Sequence, residues 1–280
     1  EATRAALVNI LCTTRSGGSL KPITGSGVII DSRGVILTNA HVAQYYLLRD
    51  AYGPGTVECV IRVGSPATRA YVAEPLYISR KWIEDNKDQI TADSPTGTGE
   101  HDFALLKITS RLTGEALPAS FSSLALDETN DSLLPEATLL VGGYPAGFLG
   151  GISVERELYI ATSLAVVEKI YTYLISTIDL ISLSGNIASQ KGVSGGATVN
   201  QRNGKLSGIV TTSTSEAQTS DRELRAVSTS HIFRSFLLQE GQSLPSFLSG
   251  NLEEKIKTFA SVAAPLLQKQ LKDEIENRNQ

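Results

Sequence analysis

Short apolar runs, each closed by a turn signal within about a dozen residues, recur along most of this chain and constrain its fold more than any other feature. In "GSGVIIDSRGVILTNA", residues 25–40, Val28 to Ile30 and Val35 to Leu37 read as two strands, and Asp31 to Gly34 as the turn between them. "TVECVIRVGS", "AYVAEPLYIS" and "DFALLKITS" continue the pattern, interrupted by the polar stretch "EDNKDQITADSPTGTGE", which reads as a surface loop. A second set follows: "ATLLVGGYP", "ELYIATSLAVVEKIYTY", "YLISTIDLIS", "GGATVN" and "KLSGIVTTST". The pattern predicts an all-β chain in two units, residues 1–115 and 116–240. "STSHIFRSFLLQ" reads as a short helix capped by Ser228 or Ser230.

The end of the chain changes period. Leu252, Ile256, Phe259, Ala263, Leu267, Leu271 and Ile275 recur at helical spacing, so residues 250–280 form an amphipathic helical tail. Pro265 should kink or divide it. Its five acidic and five basic side chains balance, which argues for packing on the body or on a partner chain rather than on a membrane surface.

Composition excludes several function classes. A net charge of −4 is wrong for a nucleic-acid binder, whose partner demands a basic face. No run of eighteen apolar residues spans a membrane. The chain begins at Glu1 and contains no Met, which suggests a processed chain whose original N-terminus, an export signal or anchor, has been removed. Cys12 and Cys59 are its two cysteines, neither in a C-x-x-C pair, so no metal site is expected. Each sits in an apolar, strand-like run. They are either two buried, inert thiols or one disulfide between neighbouring strands, the latter requiring an oxidising compartment.

"QKGVSGGATVN", residues 190–200, carries the first chemical hint, with Ser194 flanked by glycines. A serine hydroxyl is a poor nucleophile unless a base stands beside it. The chain has three histidines, His41, His101 and His231. His101 lies beside a glycine-rich loop and His231 on the short surface helix, and both read as structural or solvated. His41 ends a strand in "VILTNAHVAQ" and is the candidate base. Asp102 opens the apolar strand of "GEHDFALLKI", where a buried carboxylate needs a partner, and imidazole is a suitable one.

The order His41, Asp102, Ser194 resembles that of the chymotrypsin-like serine proteases. "TNAHV", "DFALLKI", "GVSGG", "GSGVIIDSRGVILTNAHV" and "LLVGGYPAG" are similar to motifs of the bacterial HtrA (Deg) branch, and the likeness runs over roughly residues 5–240. The resemblance implies two antiparallel six-stranded Greek-key barrels of the trypsin type, with the site in the cleft between them. It implies a serine endopeptidase that works through an acyl-enzyme and needs no cofactor. Ser194 would be the nucleophile, His41 the base and Asp102 its orienting carboxylate. The Gly192 and Ser194 amides would form an oxyanion hole. The specificity pocket would be built from Ala188 at its base and Thr211, Thr212 and Ser213 on its walls, so cleavage is expected after small or medium apolar residues in polypeptide substrates. The localisation implied is extracytoplasmic: periplasmic, envelope-anchored or secreted.

The chain also departs from the family. Val193 stands where trypsin-type enzymes carry the aspartate that pairs with a newly cut N-terminus, so control by that salt bridge is not expected. About forty residues follow the barrels, too few for the PDZ domain usual in HtrA proteins. A homo-oligomer remains open, with the tail as one contact. The alternative function is a catalytically silent, protease-fold scaffold. An α/β-hydrolase fits poorly: "GVSGG" satisfies G-x-S-x-G, but a strand-like segment follows it and the best histidine comes first.

Overall fold

The computed structural model describes residues 1–14, 20–92, 97–129, 133–147, 154, 156–174, 176–185, 189–213 and 223–278. A one-turn helix, α1 (Ala2–Ala6), leads into the first barrel: β1 (Leu7–Thr14), β2 (Ile23–Asp31), β3 (Val35–Thr38), β4 (Val57–Val63), β5 (Thr68–Ile78) and β6 (Ala104–Arg111). Between these strands lie α2 (Ala40–Ala43) and α3 (Arg80–Asn86). The second barrel is β7 (Thr138–Gly143), β8 (Ala161–Tyr171), β9 (Leu180–Leu183), β10 (Ala197–Asn200), β11 (Leu206–Ser213) and β12 (Leu224–Ser228). Helices α4 (Thr229–Glu240), α5 (Leu244–Ser249), α6 (Leu252–Thr258) and α7 (Ala264–Arg278) complete the chain.

Both barrels are closed and antiparallel. The strand order is β1-β2-β3-β6-β5-β4 in the first, and the second repeats it as β7-β8-β9-β12-β11-β10. Closure leaves no free sheet edge, and the inward-facing residues fill each interior. One apolar cluster fills the first barrel, including Val8, Ile10, Ile36, Ile61, Leu106 and Ile108. Another fills the second, with Leu139, Val141, Ile181, Leu183 and Val210. A third joins them: Leu7, Val28, Leu37, Tyr77 and Phe103 of the first unit meet Tyr144, Ala197, Ile209 and Phe236 of the second. This shared core fixes one barrel against the other, and side chains at the seam are held from both sides.

The first half of the stretch 84–100, up to Thr91, differs from the loop expected. It begins inside α3, whose N-cap Ser79 accepts a hydrogen bond from the Trp82 amide, and continues into a 3-10 turn, Lys87–Thr91. Trp82, Ile83 and Ile90 are buried in the first core. Ser79, Trp82 and Ile83 just before the stretch, with Ile90 inside it, set the helical conformation, because only the inward face has to pack.

The tail follows its apolar stripe onto the body. Phe259, Leu267, Leu271 and Ile275 join the first barrel's core, and the Gln268 amide donates to the Leu47 carbonyl at 2.7 Å. Leu47 belongs to the 3-10 segment Gln44–Leu48 directly after α2, so the tail braces the stretch that carries His41. The helix breaks as a π-turn over Phe259–Ala263, just before Pro265, which lacks the amide hydrogen that an uninterrupted α-helix would use.

Cys12 and Cys59 are joined by a disulfide and stand opposite one another on β1 and β4. The bond closes a loop of sequence separation 47. Restricting the unfolded chain by a loop of that length stabilises the fold by about 4 kcal/mol on a chain-entropy argument. Reduction is therefore expected to lower the urea midpoint substantially. Identical midpoints with and without reductant would refute a stabilising role.

Candidate active site

The seam between the barrels gathers three side chains from distant parts of the chain. His41 lies on α2, which begins two residues after β3 ends. Its ring Nδ1 is 2.8 Å from Asp102 Oδ2, and its backbone amide donates to Asp102 Oδ1 at 3.0 Å. A carboxylate only accepts, so Nδ1 carries a proton, and in the neutral ring the lone pair is at Nε2. The His41 side chain is 24% exposed and that of Asp102 only 3%. Asp102 meets the cost of burial by accepting a further bond from the Thr211 hydroxyl at 2.6 Å, while Asn39 Nδ2 donates to its backbone carbonyl at 2.9 Å. Both barrels thus hold one carboxylate. Trp82 lies beside the base, its ring centroid 6.3 Å from that of His41.

Thr211 was expected in a pocket wall. Its side chain instead turns to Asp102, and its carbonyl accepts the Ser194 Oγ proton at 3.3 Å. Among the described residues Ser194 Oγ makes that bond and none to His41. Ala188 lies outside the described residues, as do the side chains of Thr212 and Ser213; the backbone of both continues β11, paired with β12.

The loop before Ser194 is tightly specified. Every carbonyl from Gln190 to Ser194 accepts a hydrogen bond: Gln190 from the Val193 amide, Lys191 from the Ala146 amide, Gly192 from Ser26 Oγ, Val193 from the Gly196 amide and Ser194 from the Ser26 amide. The Gly192 and Ser194 amides donate to no group among the described residues. With no acceptor among the described residues, both are candidates for holding a developing oxyanion. Gly192 has φ 95°, and a Cβ there would come within 2.7 Å of the Tyr144 carbonyl. No other residue type fits without displacing the strand end opposite it. Val193 is fully buried in the second barrel's core and carries no charge for an N-terminus to pair with.

His231 is not on the solvated face of its helix. It sits in the first turn of α4, where the Ser228 cap directs it inward, its side chain 7% exposed. Nδ1 meets Asp179 at 3.2 Å, Nε2 is buried with no partner among the described residues, and His101 and Tyr173 pack alongside with Arg234 on the same carboxylate. His101 is tied to this helix as well, its Nδ1 2.7 Å from Ser235 Oγ. Burial pushes the His231 pKa down to about 4, against the pull of Asp179. The unfolded chain takes up this proton near the ordinary histidine value and the folded one only near pH 4. Between those limits the unfolded state binds more protons, so stability falls as pH drops. A loss of up to about 3 kcal/mol by pH 4 is expected. His231→Gln should flatten urea stability over that window, and an equally steep decline in the variant would refute this assignment.

Sequence reasoning missed Ser26, Asn39 and the Tyr144–Ala146 segment. The motifs "GSGVIIDSRGVILTNAHV" and "LLVGGYPAG" contain all of them, but nothing in either motif marks a hydrogen-bond partner across the chain.

Comparison with known proteins agrees with the fold. The family model for the trypsin-like peptidase domain matches residues 25–209. Comparison with curated proteins gives no match. Among solved structures, an HtrA-type protease, AlgW, with a tripeptide is similar at TM-score 0.51 and 18% identity, over 86% of this chain. An alanine variant of AlgW, also with a tripeptide, gives 0.52 and 19% over the same share. Deg5 gives TM-score 0.52 and 20% identity, covering 86% of this chain and 93% of its own. This chain spans 62% of the length of the AlgW structures.

Proposed function

The chain belongs to the trypsin-like peptidase domain family, and on that premise we propose that it is a serine endopeptidase. Ser194 attacks the peptide carbonyl, exchanging its bond to the Thr211 carbonyl for one to His41. His41 takes the proton at Nε2 and returns it to the leaving amine. Asp102 keeps the ring in the required tautomer, and the Gly192 and Ser194 amides receive the oxyanion. Water then hydrolyses the acyl-enzyme. The observation that carries this reading is the chain of bonds from Thr211 through Asp102 to His41; the Gly192 and Ser194 amides, without an acceptor among the described residues, support it.

Cleavage after small or medium apolar residues is proposed from the family resemblance, which puts Ala188, rather than an acidic residue, at the base of the pocket. The Cys12–Cys59 bond supports an extracytoplasmic location, since reducing compartments do not sustain structural disulfides. Among the described residues no helix is long and apolar enough to cross a membrane.

The second reading, a scaffold without turnover, draws on the resting bond of Ser194 to Thr211 instead of His41. Incubation with a fluorophosphonate probe and with casein separates the two. Covalent labelling together with casein fragments ending in Ala, Val or Leu supports the peptidase. Fragments ending in Lys or Arg would overturn the pocket assignment, and no labelling with intact casein would favour the scaffold.

A further inference from the structure

We propose that Ser26, a first-barrel residue, is the positioning residue that keeps the oxyanion loop of the second barrel in its working conformation at rest. This rests on the peptidase reading above.

Ser26 lies on β2 and is fully buried. Its backbone amide donates to the Ser194 carbonyl at 2.7 Å, and its carbonyl accepts from the Thr38 hydroxyl at 2.7 Å. Its Oγ accepts from the Tyr144 amide at 2.9 Å and stands 2.8 Å from the Gly192 carbonyl. The Tyr144 amide can only donate, so the hydroxyl proton is left for Gly192. The direction of this relay is set by chemistry alone.

Glycine at 192 is the freest residue in the loop, and its amide points inward only if the peptide planes on both sides of its Cα are fixed. The Ala146 amide holds the plane before it through the Lys191 carbonyl. Ser26 Oγ holds the plane after it through the Gly192 carbonyl. The Ser194 amide belongs to a plane held by Gly196, and the next plane is held by the Ser26 backbone. Removing the Ser26 hydroxyl therefore frees one side of Gly192 and leaves the Ser194 anchors in place. It also orphans two buried groups, the Tyr144 amide and the Gly192 carbonyl, which favours rotation of the loop toward other partners.

With Val193 apolar and buried, this loop has no charged anchor at that position. The Ser26 side chain supplies a neutral one. The hole is then formed before substrate arrives, because each anchoring partner is part of the folded barrels.

The test compares the parent chain with Ser26→Ala and Ser26→Cys. The substrate is a quenched peptide spanning a bond that the parent cuts in casein; the second ligand is a peptide aldehyde of the same sequence, whose tetrahedral adduct places its oxygen in the hole. Losing one oxyanion donor lowers kcat by about 10²–10³-fold. Ser26→Ala, which loosens that donor, is expected to lose about 10-fold or more, up to that limit. KM should change little, because the contact acts only in the transition state. Aldehyde affinity should fall in parallel with kcat, and the pH profile should keep its shape. Ser26→Cys, with a similar shape and a weaker donor, should fall between. A folded Ser26→Ala protein with parental kcat would overturn the proposal. So would a loss of kcat that leaves aldehyde affinity intact, since the damage would then lie outside the hole. If Ser26→Ala does not fold, Ser26→Cys is judged by the same two criteria. A parent chain inert to fluorophosphonate would sink the peptidase reading itself, whereas an active parent with an equally active variant sinks only the role of Ser26.

Discussion

Ser194→Ala is expected to lower kcat by about 10⁶-fold and to abolish fluorophosphonate labelling, with little change in stability. The hydroxyl is the only atom that the reading asks to form a bond with substrate, and removing it leaves the His41–Asp102 pair nothing to activate. The structure predicts the small cost in stability. Ser194 Oγ makes one long hydrogen bond, 3.3 Å to the Thr211 carbonyl. The loop is held through its backbone by Ser26, Ala146 and Gly196. Residual binding of peptide with KM near the parent's would complete the signature, as the amides at 192 and 194 survive. Undiminished turnover in the variant would move the chemistry elsewhere in the molecule.

Asp102→Asn is expected to lower kcat by about 10⁴-fold while the protein remains folded. The argument comes from the bonds this carboxylate accepts. Oδ1 takes the His41 backbone amide, and Oδ2 takes His41 Nδ1 and the Thr211 hydroxyl. Asparagine offers one oxygen and one NH₂. If its oxygen faces Nδ1, the NH₂ opposes the His41 backbone amide, donor against donor. The opposite orientation satisfies the backbone but presents the NH₂ to Nδ1, which must then accept. The ring proton moves to Nε2, and the base is lost. The Thr211 hydroxyl can reverse and accept, so the packing survives. Measured kcat for the purified variant checks this. Activity within tenfold of the parent would mean that Asp102 does not set the tautomer.

How much of this was legible in the sequence follows from how far apart the cooperating residues lie. The strands were legible because a short apolar run closed by a turn signal is a local property, and a closed barrel is the way for many short antiparallel strands to avoid open edges. The tail was legible for the same reason, at helical period, although which surface it covers was not. The polar segment 84–100 misled because the cap and two of the apolar residues that anchor its helical start, Ser79, Trp82 and Ile83, lie before it, and Ile90 is set among polar neighbours. His231 misled because the helix that carries it buries one face, and the direction of that face is set by where α4 packs on β11 and β12.

Sequence alone therefore determined the two β units, the break in period at the tail and the candidate trio His41, Asp102 and Ser194, since apolar runs, turn signals and short motifs are written in neighbouring residues. Only the tertiary structure decided that Thr211 serves Asp102 across a separation of 109 residues, and that Ser26 holds Gly192 across 166. Both bonds cross the seam between the barrels. A threonine on a strand and a serine between glycines carry no sign of a distant partner. The partner is assigned when the shared apolar core brings the two closed sheets together and leaves each buried polar group one place to find its hydrogen bond.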